Sequence, residues 1–135
     1  MKKKLSYHYI LEIEQYYHTS KFNLEIRDSQ IKNAGKGVFT NEEIPNNTFI
    51  DYYYGDICHH LKCGDYYFSI SNDIGINAQN FPRCFMAMIN DNYKSNFDIN
   101  CEFIIKNNNI VEIWSTKIIL KNTELFISYG EDYWK

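Results

Sequence analysis

The side chains best suited to chemistry lie in two tyrosine–glycine segments: Tyr53-Tyr54-Gly55, and Glu124-Leu125-Phe126-Ile127-Ser128-Tyr129-Gly130 near the end of the chain. A phenol can donate and accept a hydrogen bond, and its ring can wall a channel that receives a cation. Two further blocks accompany them. Gly35-Lys36-Gly37 precedes Val38-Phe39, and glycines there allow a tight turn or a close approach of main chain to a ligand. Asn90-Asp91 follows the apolar run Phe-Met-Ala-Met-Ile, and an asparagine amide can donate to one group while accepting from another. Taken singly, each block also has an ordinary structural reading: a tyrosine packed at a strand end, a tight turn, an asparagine closing a turn. The glycine pair is no dinucleotide fingerprint, because it does not open a helix after a strand.

Other chemistries find little support. The four cysteines, Cys58, Cys63, Cys84 and Cys101, contain no Cys-x-x-Cys pair. His59 and His60 beside Cys58 do not complete a convincing zinc set, so no metal is expected and the thiols should be free. The formal net charge is -3, and the only basic run is Lys2-Lys3-Lys4. Duplex binding needs several cations on one face, so direct nucleic-acid binding is not expected. A mildly acidic surface suits a cationic partner. No secretory apolar core or membrane-length run is visible, and an intracellular protein is expected. With 44 % apolar and 17 % aromatic residues in a chain of 135, one folded domain is expected.

Short alternating runs must position these blocks. Residues 7–17 fit a strand, although a helix pattern is also present; tyrosine and isoleucine favour the pleated reading. Residues 22–28, 48–54, 66–70 and 97–105 read as strands, with the next strand beginning at Val38 and another running over 110–113. Residues 106–109 read as a hairpin turn, 85–89 as one short helical turn, and 123–128 as the final strand. Residues 41–43, 44–47 and 72–75 read as turns, 58–62 as a polar connection, and 76–83 as irregular. Many short strands with little helix predict a mostly β domain built from several small sheets.

In their order and spacing, three blocks, the Gly35-Lys36-Gly37 turn, Asn90-Asp91 and the closing Glu124-to-Gly130 segment, resemble the SET-domain protein lysine methyltransferases, most closely the compact viral members, over residues 24–134. The last block resembles that family's Glu-Leu-x-x-x-Tyr-Gly closing motif. The resemblance implies a SET-domain fold, with several small β-sheets around a knot-like core. Residues 1–22 would be an extension and 23–135 the catalytic domain, without the cysteine-rich segment that closes many relatives. It implies S-adenosylmethionine as cofactor, with the main chain of Lys36 and Gly37, Tyr66, Asn90, Asp91, Tyr129 and Trp134 around it. Tyr129 and Tyr53 would be catalytic, and Tyr53, Ile127 and Tyr133 would line the substrate channel. Asp91 stands where the family has histidine and would serve through its main chain. Ala87 stands where the family often has arginine, Ile127 where many members carry Phe or Tyr, and Asn96 at a spacing that suits the second asparagine. The implied partner is a basic, lysine-containing peptide such as a histone tail, laid along an edge strand. The compact viral relatives also imply a homodimer and, for a viral protein, the host nucleus. A relative that binds a peptide without catalysis is the competing reading, motivated by Asp91; a purely structural β protein is a third.

Overall fold

The computed structural model describes residues 15–59 and 65–130. The expected strand over 7–17 falls outside these residues except at its end, and Cys63, Tyr133 and Trp134 lie outside them altogether. In chain order the strands are β1 (Tyr16–Tyr17), β2 (Leu24–Asp28), β3 (Lys36–Thr40), β4 (Phe49–Tyr52), β5 (Asp56–His59), β6 (Tyr67–Ser69), β7 (Ile74–Asn77), β8 (Arg83–Cys84), β9 (Cys101–Lys106), β10 (Ile110–Ser115) and β11 (Thr123–Glu124). The described residues also form a 3-10 turn over Phe85–Met88 and another over Asn107–Asn109. The fold is mostly β with several small sheets and few short helices, as the sequence predicts.

Three sheets have three strands each, ordered β11-β3-β2, β4-β10-β9 and β5-β7-β6, and β1 pairs in parallel with β8. Alternation explains the first sheet: Leu24 is buried and Ile26 packs against the core, while Glu25 faces out. The β9–β10 hairpin closes through Asn108 and Asn109, whose φ of 63° and 61° is a region asparagine tolerates well. Residues of different sheets meet in one core, where Val38, Ile44, Ile50, Ile113, Ile119, Leu125 and Ile127 are all at most 1 % exposed.

Three sequence expectations are corrected. Residues 56–59 form a strand where a polar connection is expected at 58–62, because Asp56 to His59 pair antiparallel with Asn77 to Ile74. Its partner β7 lies where a turn and irregular chain are expected. There the ring of Tyr67 occupies the space a side chain on Gly75 would need, so this glycine makes a cross-strand packing site. Ile44 is fully buried and bridges Ile119 instead of sitting in a turn.

The closing segment also departs from a simple strand. Pairing within a sheet ends at Glu124, and beyond it single bridges join Phe126 to Asn90 and Ile127 to Cys101. Leu125 N–H donates to Val38 O at 2.8 Å and Ile127 N–H to Asn90 O at 3.0 Å. Phe126 O accepts from the amides of Asn100 and Cys101, both at 3.0 Å. The buried Asn100 side chain completes the lacing: its amide donates to Glu124 O at 3.0 Å and its oxygen accepts from Phe126 N–H at 2.8 Å. The chain from 124 to 127 is thereby held between β3, the loop at Asn90 and the start of β9.

Replacing Asn100 by Ala should strand a buried N–H and a buried carbonyl. The expected loss is about 3 kcal/mol, from roughly 1–3 kcal/mol per unsatisfied group, read as a lower urea midpoint at unchanged slope.

Candidate functional site

The three blocks meet at the closing segment. β3 opens at Lys36 because the turn at Gly35, with φ of 71°, reverses the chain out of β2. Asn90 then ties that turn to the end of the chain. Its side-chain amide donates to Lys36 O at 3.0 Å and approaches Glu124 Oε2 at 3.4 Å. Glu124 is fully buried, and its carboxylate accepts from Gln30 N–H at 2.9 Å and from Ser29 Oγ at 2.8 Å. A buried carboxylate is costly unless its lone pairs are filled, and here they are filled by neutral donors. Gly37 must be glycine for this arrangement: a methyl there would run into the Glu124 carboxylate and come within 3.2 Å of the Asn90 amide.

Beside this junction lies a cavity of about 550 Å³, within the range of small-molecule sites. Tyr53 and Tyr129 both line it, joined by Tyr67, Phe68 and Phe103. Phe68 on β6 and Phe103 on β9 meet at 4.4 Å between ring centres, and each contacts the Tyr53 ring, at 5.8 and 6.2 Å. β6 and β9 are the outer strands of their sheets, so two sheet edges flank the opening. Asp65 also lines the cavity, and no lysine or arginine does so among the described residues.

The two hydroxyls are oriented alike. Tyr129 Oη donates to Ile89 O, and Tyr53 Oη donates to Tyr66 O, both at 2.7 Å. Each phenol has committed its one proton to a main-chain carbonyl, so only oxygen lone pairs remain to meet a further group. The Tyr129 main chain is held as well, because its N–H donates to Asp91 Oδ2 at 2.8 Å. Burial holds the Tyr53 phenol well above the ordinary tyrosine range; the neighbouring Cys84 and Tyr129 add to the shift and Arg83 opposes it. Tyr53 therefore acts as a neutral, desolvated phenol.

The other sequence-predicted residues distribute around this centre. Asn90 and Asp91 reach the closing segment, one through its amide and main chain, the other through its carboxylate. Lys36 offers its carbonyl to Asn90, and its ammonium pairs with Asp28 at 2.8 Å. Tyr66 offers its carbonyl to Tyr53, while its ring lies 3.8 Å from the Arg83 guanidinium. Ile127 is 1 % exposed within the core and is not among the residues lining the cavity. Ala87 does line it. Asn96 is exposed, and the second asparagine at the junction is Asn100. Trp134 and Tyr133 lie outside the described residues. Sequence reasoning gave no role to Asn100, Arg83, Phe68 or Phe103. Asn100 sits on the polar side of an alternating run, and the only signal for it was that a second asparagine was wanted.

The family model described as SET domain matches residues 35–130 of this chain. The match covers most of the chain and spans all three blocks, so the chain belongs to the SET-domain family and with it to the SET-domain methyltransferase superfamily. No curated protein matches the chain. No group of three or more His, Cys, Asp or Glu residues able to hold a metal occurs among the described residues.

Gly37→Ala should cost about 1–3 kcal/mol through overpacking against the Glu124 carboxylate, seen as a lower thermal midpoint. A second expectation concerns pH. Burial pushes the thiols of Cys84 and Cys101 above their ordinary value of 9.0, as it does the Tyr53 phenol. Groups with raised folded-state pKa contribute fully below the unfolded value and lose their contribution as pH climbs toward the folded one. The urea midpoint should therefore decline from about pH 9 upward, and a flat alkaline profile would count against the burial of these groups.

Proposed function

We propose that the chain is an S-adenosylmethionine-dependent protein lysine N-methyltransferase acting on a basic, lysine-containing peptide, with histone tails as the substrate class. The observation that carries this reading is the pair of phenols in one aromatic cavity, each with its proton turned toward a main-chain carbonyl. Lone pairs and ring faces suit an amine N–H and a cationic donor, and a cavity without lysine or arginine does not repel them.

The cofactor, when bound, supplies a methyl group on a positively charged sulfur. What supports such a group is an electron-rich aromatic cavity of suitable volume with Asp65 at its wall; the glycine turn fixed to Asn90 lies beside this cavity and does not line it. What this chain must then do is hold a lysine amine neutral and aligned. A lysine in water has a pKa of about 10.4. Burial among Tyr53, Phe68 and Phe103 disfavours its ammonium form, and a nearby cation does so further. The Tyr53 and Tyr129 oxygens can each accept an N–H from the neutral amine. That turns its lone pair toward the donor methyl, and alignment of this kind supplies much of the rate of an in-line displacement. Among the described residues the outer edge of β6, and that of β9 beyond its bridged start at Cys101, suit an extended peptide, and Asp65 at the cavity wall suits a basic one. A histone substrate would place the protein in a nucleus.

Asp91, the departure from the family pattern, accepts the Tyr129 N–H and so fixes the main chain of the catalytic candidate. The test combines calorimetry with S-adenosylmethionine and mass spectrometry of core histones incubated with enzyme and labelled cofactor. Tyr129→Phe is expected to lower kcat by about 10²-fold or more while leaving cofactor affinity within a few-fold. Near-full turnover in that variant would remove Tyr129 from its role. Absence of cofactor binding by the unmodified protein would overturn the methyltransferase reading and leave the peptide-binding and purely structural readings.

A further inference from the structure

Arg83 is 6 % exposed, yet no carboxylate forms an ion pair with it among the described residues. A buried guanidinium without a counter-charge is expensive, so its surroundings must satisfy it in other ways. Its Nε donates to Ala78 O at 3.0 Å, one terminal nitrogen donates to Gln79 O at 2.6 Å, and the other approaches the Met88 sulfur at 3.7 Å. Its guanidinium carbon lies over the Tyr66 ring at 3.8 Å and over the Phe81 ring at 4.2 Å. These contacts converge on one acceptor. Tyr66 O receives the Tyr53 hydroxyl at 2.7 Å and the Ala78 N–H at 2.8 Å. Arg83 thus grips both residues that aim that carbonyl: Tyr66 through its ring, and Ala78 through its own oxygen. The third donor reaches Met88, the residue before Ile89, whose carbonyl holds the other phenol.

We propose that Arg83 is a positioning residue for Tyr53: its planar guanidinium fixes the Tyr66 carbonyl, and through it the direction of the Tyr53 hydroxyl proton and lone pairs. Arg83 is absent from the residues lining the tyrosine cavity, so it acts on the bound amine through the residues it holds, chiefly Tyr53. The kinetic consequence rests on the methyltransferase reading; the effect on the Tyr53 hydroxyl does not. The fork geometry is essential, because two carbonyls and two ring faces are engaged at once. A lysine ammonium offers a point charge without a plane and cannot reproduce this.

The experiment uses the full chain labelled with 13C at tyrosine Cζ, a nucleus sensitive to hydrogen bonding of the phenol. The Tyr53 resonance is assigned as the line missing in Tyr53→Phe. In Arg83→Met and Arg83→Lys the Tyr53 line is expected to shift. Turnover on a histone-tail peptide should fall about tenfold or more, with the loss in kcat and little change in cofactor KM. An unmoved Tyr53 line in a folded Arg83→Met protein overturns the proposal, as does unchanged kcat where the wild type is active. If the wild type shows no methyl transfer, the methyltransferase reading fails and the Tyr53 line alone decides the role of Arg83. Should both Arg83 variants fail to fold, Tyr66→Leu removes the ring beneath the guanidinium while keeping the carbonyl. The same shift is then expected, and its absence overturns the proposal.

Discussion

The structure depends on how the main chain from Glu124 to Ile127 is satisfied in the interior. Three of its amides, those of Leu125, Phe126 and Ile127, find acceptors on three different parts of the molecule: Val38, the Asn100 side chain and Asn90. An unpaired buried amide or carbonyl costs about 1–3 kcal/mol, so the segment can be buried only where all three suppliers are already in place. Leu125 and Ile127 in turn fill the centre of the core at 0 % and 1 % exposure. Burial of those side chains and pairing of their backbone are therefore one constraint, which draws β3, the Asn90 loop and β9 to a single point.

The candidate site follows from that point of closure. Two residues beyond Ile127 the chain leaves the core, and Tyr129 appears on the cavity wall with its amide held by Asp91 and its hydroxyl held by Ile89. Both holders flank Asn90, the residue that also fastens the glycine turn. The same short loop thus sets the position of the glycine turn and of the terminal tyrosine relative to each other. The opposite wall is built independently, by β4 delivering Tyr53 and by the β5-β7-β6 sheet delivering Tyr67 and Phe68. Arg83, without a carboxylate partner among the described residues, joins the two walls through main-chain carbonyls and a methionine sulfur.

Much of this was legible in the residues. Clean alternation over Leu24 and Ile26, asparagines at the β9–β10 turn, and a short apolar run at 85–89 each have one sensible local answer, and each was found. The mostly β class followed from many short alternating runs with little helix, and the family from the order of the three blocks. What local reading missed shares a cause: positions decided by distant partners. β5 carries histidine and cysteine that look like a loop, and becomes a strand only because β7 supplies a ladder. β7 carries Gly75, which reads as a turn until the Tyr67 ring is seen above it. Asn100 was hidden for the opposite reason. On the polar side of an alternating strand it should face solvent, yet it is buried at 5 % exposure because the closing segment covers it. Arg83 was unreadable because its partners are carbonyls, which sequence does not distinguish from one position to the next.

Native-state hydrogen exchange at residue resolution tests the central claim most directly. The amides of Cys101, Leu125, Phe126 and Ile127 should exchange only through global unfolding, with the free energy obtained from urea denaturation, because releasing any one of them requires opening three elements together. If these amides instead exchange through local opening, at free energies well below those of the β9–β10 ladder, the closing segment is not the clasp on which the fold and its tyrosine-lined cavity depend.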